Sequence, residues 1–289
     1  MRLQYGRRDS VKPVVIDCDP GHDDALAILL AAASPELEVL GITTVYGNTT
    51  VSNSTRNALR VVSFADLDIP VAQGASKPLF RELSLNVARA RHGTSGLDGC
   101  EIPEGPLEPV DRSATEFIAD TLRKSSRKVT LIPTGPLTNI ATLLLAYPDV
   151  KDNIEEIVFM GGALFHSGNI TSAAESNIYA DPEAAKIVLS SGIPITMVGL
   201  DATMKCTVTE DIISEIRAID TPVPMLAADI LNFYNSTIKK HYSKAGAALH
   251  DPLAVAVVLD RTLVETSLMY VDVETHSDLT RGETVGDVW

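Results

Sequence analysis

Short apolar, β-branched runs alternate along this chain with longer stretches in which Ala and Leu recur at helical spacing. Val14–Asp17 predicts a strand, and Asp24–Ala33 an Ala/Leu helix stopped by Ser34 and Pro35. Leu37–Val45 predicts a second strand running into Tyr46, Gly47 and Asn48, Ser52–Ala65 a helix, and Ile69–Gln73 a third strand. Ser113 and Glu116 form a capping box for the next helix. Val129–Ile132 reads as a strand, Leu137–Tyr147 as a helix, and Glu156–Met160 as a strand opening into Gly161 and Gly162. Asp181 and Pro182 start a helix that reaches Ser190. Ile195–Val198 is strand-like, Thr209 to Val258 is mainly helical with a break near Gly246 to Pro252, and Leu268–Glu274 is a late strand. This alternation predicts an α/β, Rossmann-like fold: a largely parallel central sheet with helices on both faces. No repeat, low-complexity tract or linker divides the chain, so residues 1–289 read as a single domain.

One stretch breaks the rhythm. Gly74 to Pro109 is rich in Gly and Pro and holds His92, Gly93, Gly96 and Gly99. Loops of this length are usually functional or mobile.

The 289 residues are 45% apolar, enough for a sizeable core, which excludes a disordered chain. Net charge is −14 and no Lys/Arg stripe interleaves with aromatics, so nucleic acid is not an expected partner. Cys18, Cys100 and Cys206 have no zinc-site spacing, and an odd count argues against a disulfide framework. A reducing cytoplasm is the expected compartment. Arg2, Arg7, Arg8 and Lys12 make the start basic, but no uncharged apolar stretch follows, so no signal peptide is expected. No run approaches the roughly 18 apolar residues of a membrane span.

The chemistry concentrates in four aspartates within eight residues: Asp17, Asp19, Asp23 and Asp24, with no Lys or Arg among them. Like charges about 4 Å apart repel by roughly 4 kcal/mol at an effective dielectric near 20. A fold that gathers them needs a cation, raised pKa values, or both. Helix capping accounts for one or two of them, not four. An all-oxygen donor set favours Ca²⁺ or Mg²⁺ over zinc. An EF-hand is excluded, because counting from Asp17 places His22 where Gly is required and Ile28 where Glu is required.

Ligands of open α/β sheets bind outside the carboxyl ends of the strands. Those ends carry Asp17 and Asp19, Asn48, Thr134, the Met160–Asn177 segment and Asp201. No GxGxxG or GxxxxGK[ST] follows a strand, which removes support from dinucleotide and P-loop readings. Asn169, Glu175 and Asn177 suit a grip on vicinal hydroxyls, since Asn donates and accepts while Glu accepts; an ordinary polar turn explains them equally well. His250 beside Asp251, at a break between helices, is a candidate acid or ligand partner, although a lone loop histidine is more often surface or core.

Taken together, these residues resemble the inosine-uridine-preferring nucleoside hydrolase family. Asp17 to Asp24 is similar to its DxDxGxDD signature, and further landmarks follow in order: Val45–Asn48, Pro133–Asn139, Met160–Gly162, Gly168-Asn169, Glu175-x-Asn177 and His250–Pro252. The resemblance covers nearly the whole chain and implies Ca²⁺-dependent hydrolysis of the N-glycosidic bond of ribonucleosides, giving ribose and free base. It implies that Asp19, Asp24, Asp251 and the main-chain carbonyl of Thr134 bind one Ca²⁺, which holds the attacking water, with Asp17 in support. Asp23 is then the general base. Asn48, Asn169, Glu175 and Asn177 hold the ribose hydroxyls, and Met160 lines the sugar pocket. His250 assists departure of the base, and His92 sits on a mobile loop by the pocket. A homodimer or homotetramer is implied as well.

Two departures stand out. Ser176 occupies a position where the family often has an aromatic, and the chain stops at Trp289, earlier than family members commonly do, so the absence of a closing element is expected. Base preference is not legible. Phe233, Tyr234, His241 and Tyr242, in the helix leading to His250, are candidates to contact the base, although at helical spacing such residues are more often core or surface. Two other readings compete. A Mg²⁺-dependent phosphohydrolase of the haloacid-dehalogenase type also begins with Asp-x-Asp after a strand, but it needs a phosphate-binding Lys and leaves Asp23 and Glu175 without a task. A ribose-binding module without catalysis leaves Asp23 and the cation without one.

Overall fold

The structure is a computed structural model and describes residues 11–83, 92–242 and 246–289; Arg2, Arg7 and Arg8 lie outside the described residues. Six strands form one parallel sheet: β1 (Lys12–Cys18), β2 (Leu37–Thr44), β3 (Val71–Gln73), β4 (Val129–Pro133), β5 (Ile154–Met160) and β6 (Ile195–Val198). Their order across the sheet is β3-β2-β1-β4-β5-β6. The order reverses between β1 and β4, and the crevice beyond their carboxyl ends is where such sheets bind ligands.

Successive strand residues face opposite sides, and they feed two separate cores. Val14, Ile16, Ile132 and Val158 pack on one face with Ile28 of α1 (His22–Ala33), Val61 and Val62 of α2 (Val51–Phe64), and residues of two later helices. Val15, Leu131, Ile157 and Phe159 pack on the other face. There they meet Ile118 and Leu122 of α3 (Ala114–Lys124), Ile140 of α4 (Thr138–Ala146) and, past α5 (Ser176–Ala180), Val188 of α6 (Pro182–Leu189). Burial on both faces is why these strands read as continuous apolar runs. The result is the expected Rossmann-like α/β domain.

Beyond β6 come α7 (Leu200–Thr203), β7 (Thr207–Val208), α8 (Glu210–Arg217) and α9 (Pro222–Tyr242). They lead to β8 (Ala247–Ala248) and α10 (His250–Leu259). The expected helical region from Thr209 is thus three helices, and its break near Gly246 is a two-residue strand, β8, paired antiparallel with β7. The late strand is real but shorter. β9 (Tyr270–Val273) pairs antiparallel with β10 (Thr284–Asp287), apart from the main sheet.

The capping predictions correspond to observed bonds. Ser113 and Glu116 exchange side-chain and backbone hydrogen bonds, and Asp181 accepts from the Ala184 amide at 3.0 Å. α10 is buried along most of its length, and its last turn is tied to the start of β1, where Lys12 Nζ donates to the Val258 carbonyl. No described helix is long and apolar enough to cross a membrane.

Candidate active site

Parallel pairing sets the ends of β1 and β4 side by side, with Asp17 level with Pro133 and the Thr134 amide donating to the Asp17 carbonyl at 2.8 Å. The chain then turns through Pro20 and Gly21 into α1, which puts Asp23 and Asp24 in its first turn. Unpaired amides and the helix dipole favour carboxylates there. Asp24 accepts from the Gly21 amide (3.0 Å), the Asp19 amide (3.3 Å), Thr134 Oγ1 (2.8 Å) and Asn48 Nδ2 (3.1 Å). α10 packs alongside α1 on the same face of the sheet and delivers Asp251 in its own first turn.

Asp23, Asp24 and Asp251 are all buried, and each offers an oxygen within 4.8 Å of the others. Asp251 hydrogen-bonds both neighbours, which carboxyls manage only by sharing protons. Burial, then the charges of Asp23 and Asp24, raise the Asp251 carboxyl well above its usual range. Burial also raises Asp24. Asp19 is raised by burial and then by the Asp24 charge. Its Oδ2 accepts from the Asn48 amide at 2.5 Å, while its buried Oδ1 has no hydrogen-bond partner. Asp19 lies outside the tight group of three and borders an adjoining cavity.

Glycine makes room for it. A Cβ on Gly47 would stand 2.0 Å from Asp19 Oδ2, and one on Gly135 would stand 2.6 Å from Oδ1. Deeper still, Asp17 accepts from Thr43 (2.6 Å) and Asn139 (2.8 Å), and burial pushes it up to about 7 despite those bonds. Five buried carboxyls, with an oxygen of Asp17 and one of Asp19 lacking a hydrogen-bond partner, fit a hard divalent cation.

Opposite them, Glu175 caps α5, its carboxylate accepting from the amides of Asn177, Ile178 and Gly162. Asn169 Oδ1 accepts from the Ser176 amide at 2.9 Å, and Asn177 Nδ2 donates to the carbonyls of Thr134 (2.7 Å) and Met160 (3.1 Å). His250 Nδ1 meets Thr203 Oγ1 at 2.8 Å. One pocket gathers Asp23, Asn48, Thr134, Met160, His250 and Asp251, and its remaining walls include Asn169, Glu175, Asn177 and His92. Among the described residues no Lys or Arg lines it, and none there supplies the phosphate-binding side chain that the phosphohydrolase reading needs.

The model of the inosine-uridine preferring nucleoside hydrolase family matches residues 14–289. The chain belongs to this family. The match makes it a nucleoside hydrolase, an enzyme that cleaves the N-ribosyl bond. The pyrimidine-specific ribonucleoside hydrolase RihA of Salmonella typhimurium is 48% identical over 279 residues, covering 96% of this chain and 89% of the relative. A RihA from a Shewanella species is likewise 48% identical, covering 96% of this chain and 86% of its own. Among solved structures, the purine-preferring ribonucleoside hydrolase from Gardnerella vaginalis superposes with a TM-score of 0.91 at 40% identity, covering 96% of this chain and 89% of that one.

Around this nucleoside hydrolase pocket stand two of the aromatic candidates for the base, together with residues to which sequence reasoning assigned no role. Tyr234 lines the pocket, and Ser176 lines both it and the adjoining cavity. Phe233 stands behind, stacked on His22 at 4.9 Å. His22 itself is fully buried, and burial pushes its imidazole down to about 4. Its place inside the aspartate signature was the available signal. Asp201 stands just beyond the end of β6, in α7, and accepts from the amides of Leu164 and Phe165 in the turn after β5. The helix α9 runs through His241 and Tyr242, whose side chains lie outside the described residues.

Proposed function

We propose that this nucleoside hydrolase uses one Ca²⁺ per subunit to hydrolyse purine or pyrimidine ribonucleosides to ribose and free base, a step of nucleoside salvage. The observation that carries the reading is the single pocket that sets Asp23 and the acidic cluster opposite the Asn169, Glu175 and Asn177 segment.

Asp19, Asp24, Asp251 and the Thr134 carbonyl would hold the cation, and Asp17, braced by Thr43 and Asn139, would support them. Bound there, Ca²⁺ would neutralise the cluster and lower the pKa of water. Asp23 would accept the proton of the attacking water. Asn48, Asn169, Glu175 and Asn177 would hold the ribose hydroxyls, each already fixed by a hydrogen bond of its own, and Met160 would close the sugar side. Such a grip favours the flattened, oxocarbenium-like sugar over the ground state. With Nδ1 engaged by Thr203, His250 would present Nε2 to the departing base, and His92 would border the base from the other wall.

The printed names of the relatives divide between pyrimidine and purine, so the test spans both. Ribose release is measured from inosine, adenosine, guanosine, uridine and cytidine, with Ca²⁺ and with a chelator. Release abolished by the chelator and restored by Ca²⁺ is the expected result; release indifferent to the chelator refutes the cation's role. We further infer action in the cytoplasm, which the three free cysteines suit, and assembly as a homodimer or homotetramer, for which exposed Phe80, Phe165 and Leu268 offer apolar surface.

A further inference from the structure

α2 turns a row of donors toward the loop that begins at His92. Asn53 and Asn57, four apart, share one face of the helix, and Thr49 continues the line ahead of it. Thr49 Oγ1 and Asn53 Nδ2 both donate to the main-chain oxygen of Thr94, at 3.2 and 3.3 Å. Asn57 Nδ2 donates to that of Ser95 at 2.8 Å. One turn on, Arg60 Nε donates to the main-chain oxygen of Ile102 at 2.7 Å.

Asn57 does more than extend the row. The same nitrogen donates to the main-chain oxygen of Pro20, at 3.0 Å, in the turn between Asp19 and α1. A carboxamide nitrogen carries two protons and a carbonyl only accepts, so the two bonds use both protons. Turned over, the amide would set its own oxygen against both carbonyls. Asn57 is buried, where losing a donor strands its acceptors at a cost. Gly96 is pressed against the same spot. At a φ of +90°, a Cβ on it would stand 3.0 Å from Asn57 Nδ2 and 3.1 Å from the Pro20 oxygen.

The loop also holds its own shape. The Asp98 carboxylate accepts from the amides of Thr94 and Ser95, both at 3.0 Å, and the Asp98 amide donates to the His92 carbonyl at 3.3 Å. On its other side the loop meets α1 through His22, whose Nε2 lies 3.0 Å from the Asp98 main-chain oxygen and whose Nδ1 lies 3.3 Å from His92 Nδ1. Closed on itself in this way, the loop shifts as a body and carries His92 with it.

We propose that Asn57 is a positioning residue: it docks the loop 92–99 on the turn that opens α1 and so sets where His92 stands in the pocket wall. The proposal rests on the place given to His92 under the proposed function, bordering the base. Asp19 and Asp24 keep bonds of their own to Asn48, Gly21 and Thr134, so the seat of the cation does not depend on Asn57.

The test starts from Asn57→Ser, whose side chain is too short to reach either carbonyl and leaves room for a water. Amide exchange across residues 93–99 should quicken about fivefold or more, the scale of one lost hydrogen bond, while β1 and β4 stay protected. kcat/KM for inosine or uridine should fall about ten- to a hundredfold, the effect of misplacing a contact by roughly 1 Å. Ca²⁺ affinity, measured by calorimetry, should hold. In a His92→Ala background the same change should cost little more, because the loop then has nothing to place. Gly96→Ala lifts the loop from its own side, leaves α2 untouched and should reproduce the pattern even where Asn57→Ser fails to fold. An equal fall of kcat/KM in both backgrounds overturns the proposal. So does a loss of Ca²⁺ affinity that matches the loss of kcat/KM, or exchange across 93–99 that stays as it was. A His92→Ala protein with normal kcat/KM counts instead against the place of His92 in the proposed function, and the exchange rates, read without substrate, then decide the docking by themselves.

Discussion

The side-chain amide of Asn177 donates to the main-chain oxygen of Thr134 at 2.7 Å. A residue assigned to the sugar is thereby tied to the strand end assigned to the cation. Asn177→Leu keeps the size of the side chain and removes the donor. Partners that orient a metal ligand typically matter about 10- to 100-fold. We expect Ca²⁺ affinity to weaken by that order, measured by calorimetry, alongside a raised KM. A raised KM with unchanged Ca²⁺ affinity would confine Asn177 to the sugar.

Asp23→Asn preserves shape and removes the proton acceptor. Turnover should fall by about 10²- to 10⁴-fold. The melting temperature should hold or rise, because one member of a crowded carboxyl group loses its charge. Near-normal ribose release from this variant removes Asp23 from the role of base.

Without a cation, the carboxyls of Asp19, Asp24 and Asp251 lie above their unfolded pKa, chiefly through burial. Groups raised on folding contribute stability that is fully present below the unfolded pKa, about 4, and is lost as pH rises through the folded values. In a chelator the protein should therefore melt at a lower temperature at pH 8 than at pH 5, while saturating Ca²⁺ should flatten or reverse that trend. A metal-free melting temperature that climbs steadily from pH 5 to pH 8 contradicts it.

Gly47→Ala forces a methyl to within 2.0 Å of Asp19 Oδ2, so the carboxylate must move. Overpacking of this kind costs about 1–3 kcal/mol. The larger consequence should be at the cation, with affinity down about tenfold or more. Unchanged Ca²⁺ binding in a folded Gly47→Ala protein would show that the position of Asp19 is immaterial.

Much of this arrangement was legible in the chain because a buried parallel strand announces itself twice: as an apolar run, and by the polar residue where the run stops. Val14 to Asp17 and Val129 to Thr134 do both, and the structure sets those ends together. β7 and β8, at two residues each, are too short to leave a periodic signal. The late strand was visible, but nothing local said that its partner is β10 rather than the main sheet. Asp251 is the deeper case. No local pattern joins it to an aspartate more than 220 residues earlier, and only its resemblance to a known motif pointed there before the packing of α1 on α10 did. His22 was hidden for another reason: at the first position of a helix, its sequence context is silent about both ring partners.

α10 is fastened at both ends, its last turn to the start of β1 by the Lys12–Val258 contact and its first turn to that of α1 by the carboxyl cluster. The spacing of the acidic groups thus depends on how α10 is seated against β1 and α1, and its far clasp at Lys12 lies away from the substrate. A change as remote as Lys12→Met should reach the cation as a change in the gauge of its seat, and the protein should behave as a preset caliper that the ion finds open to its own size.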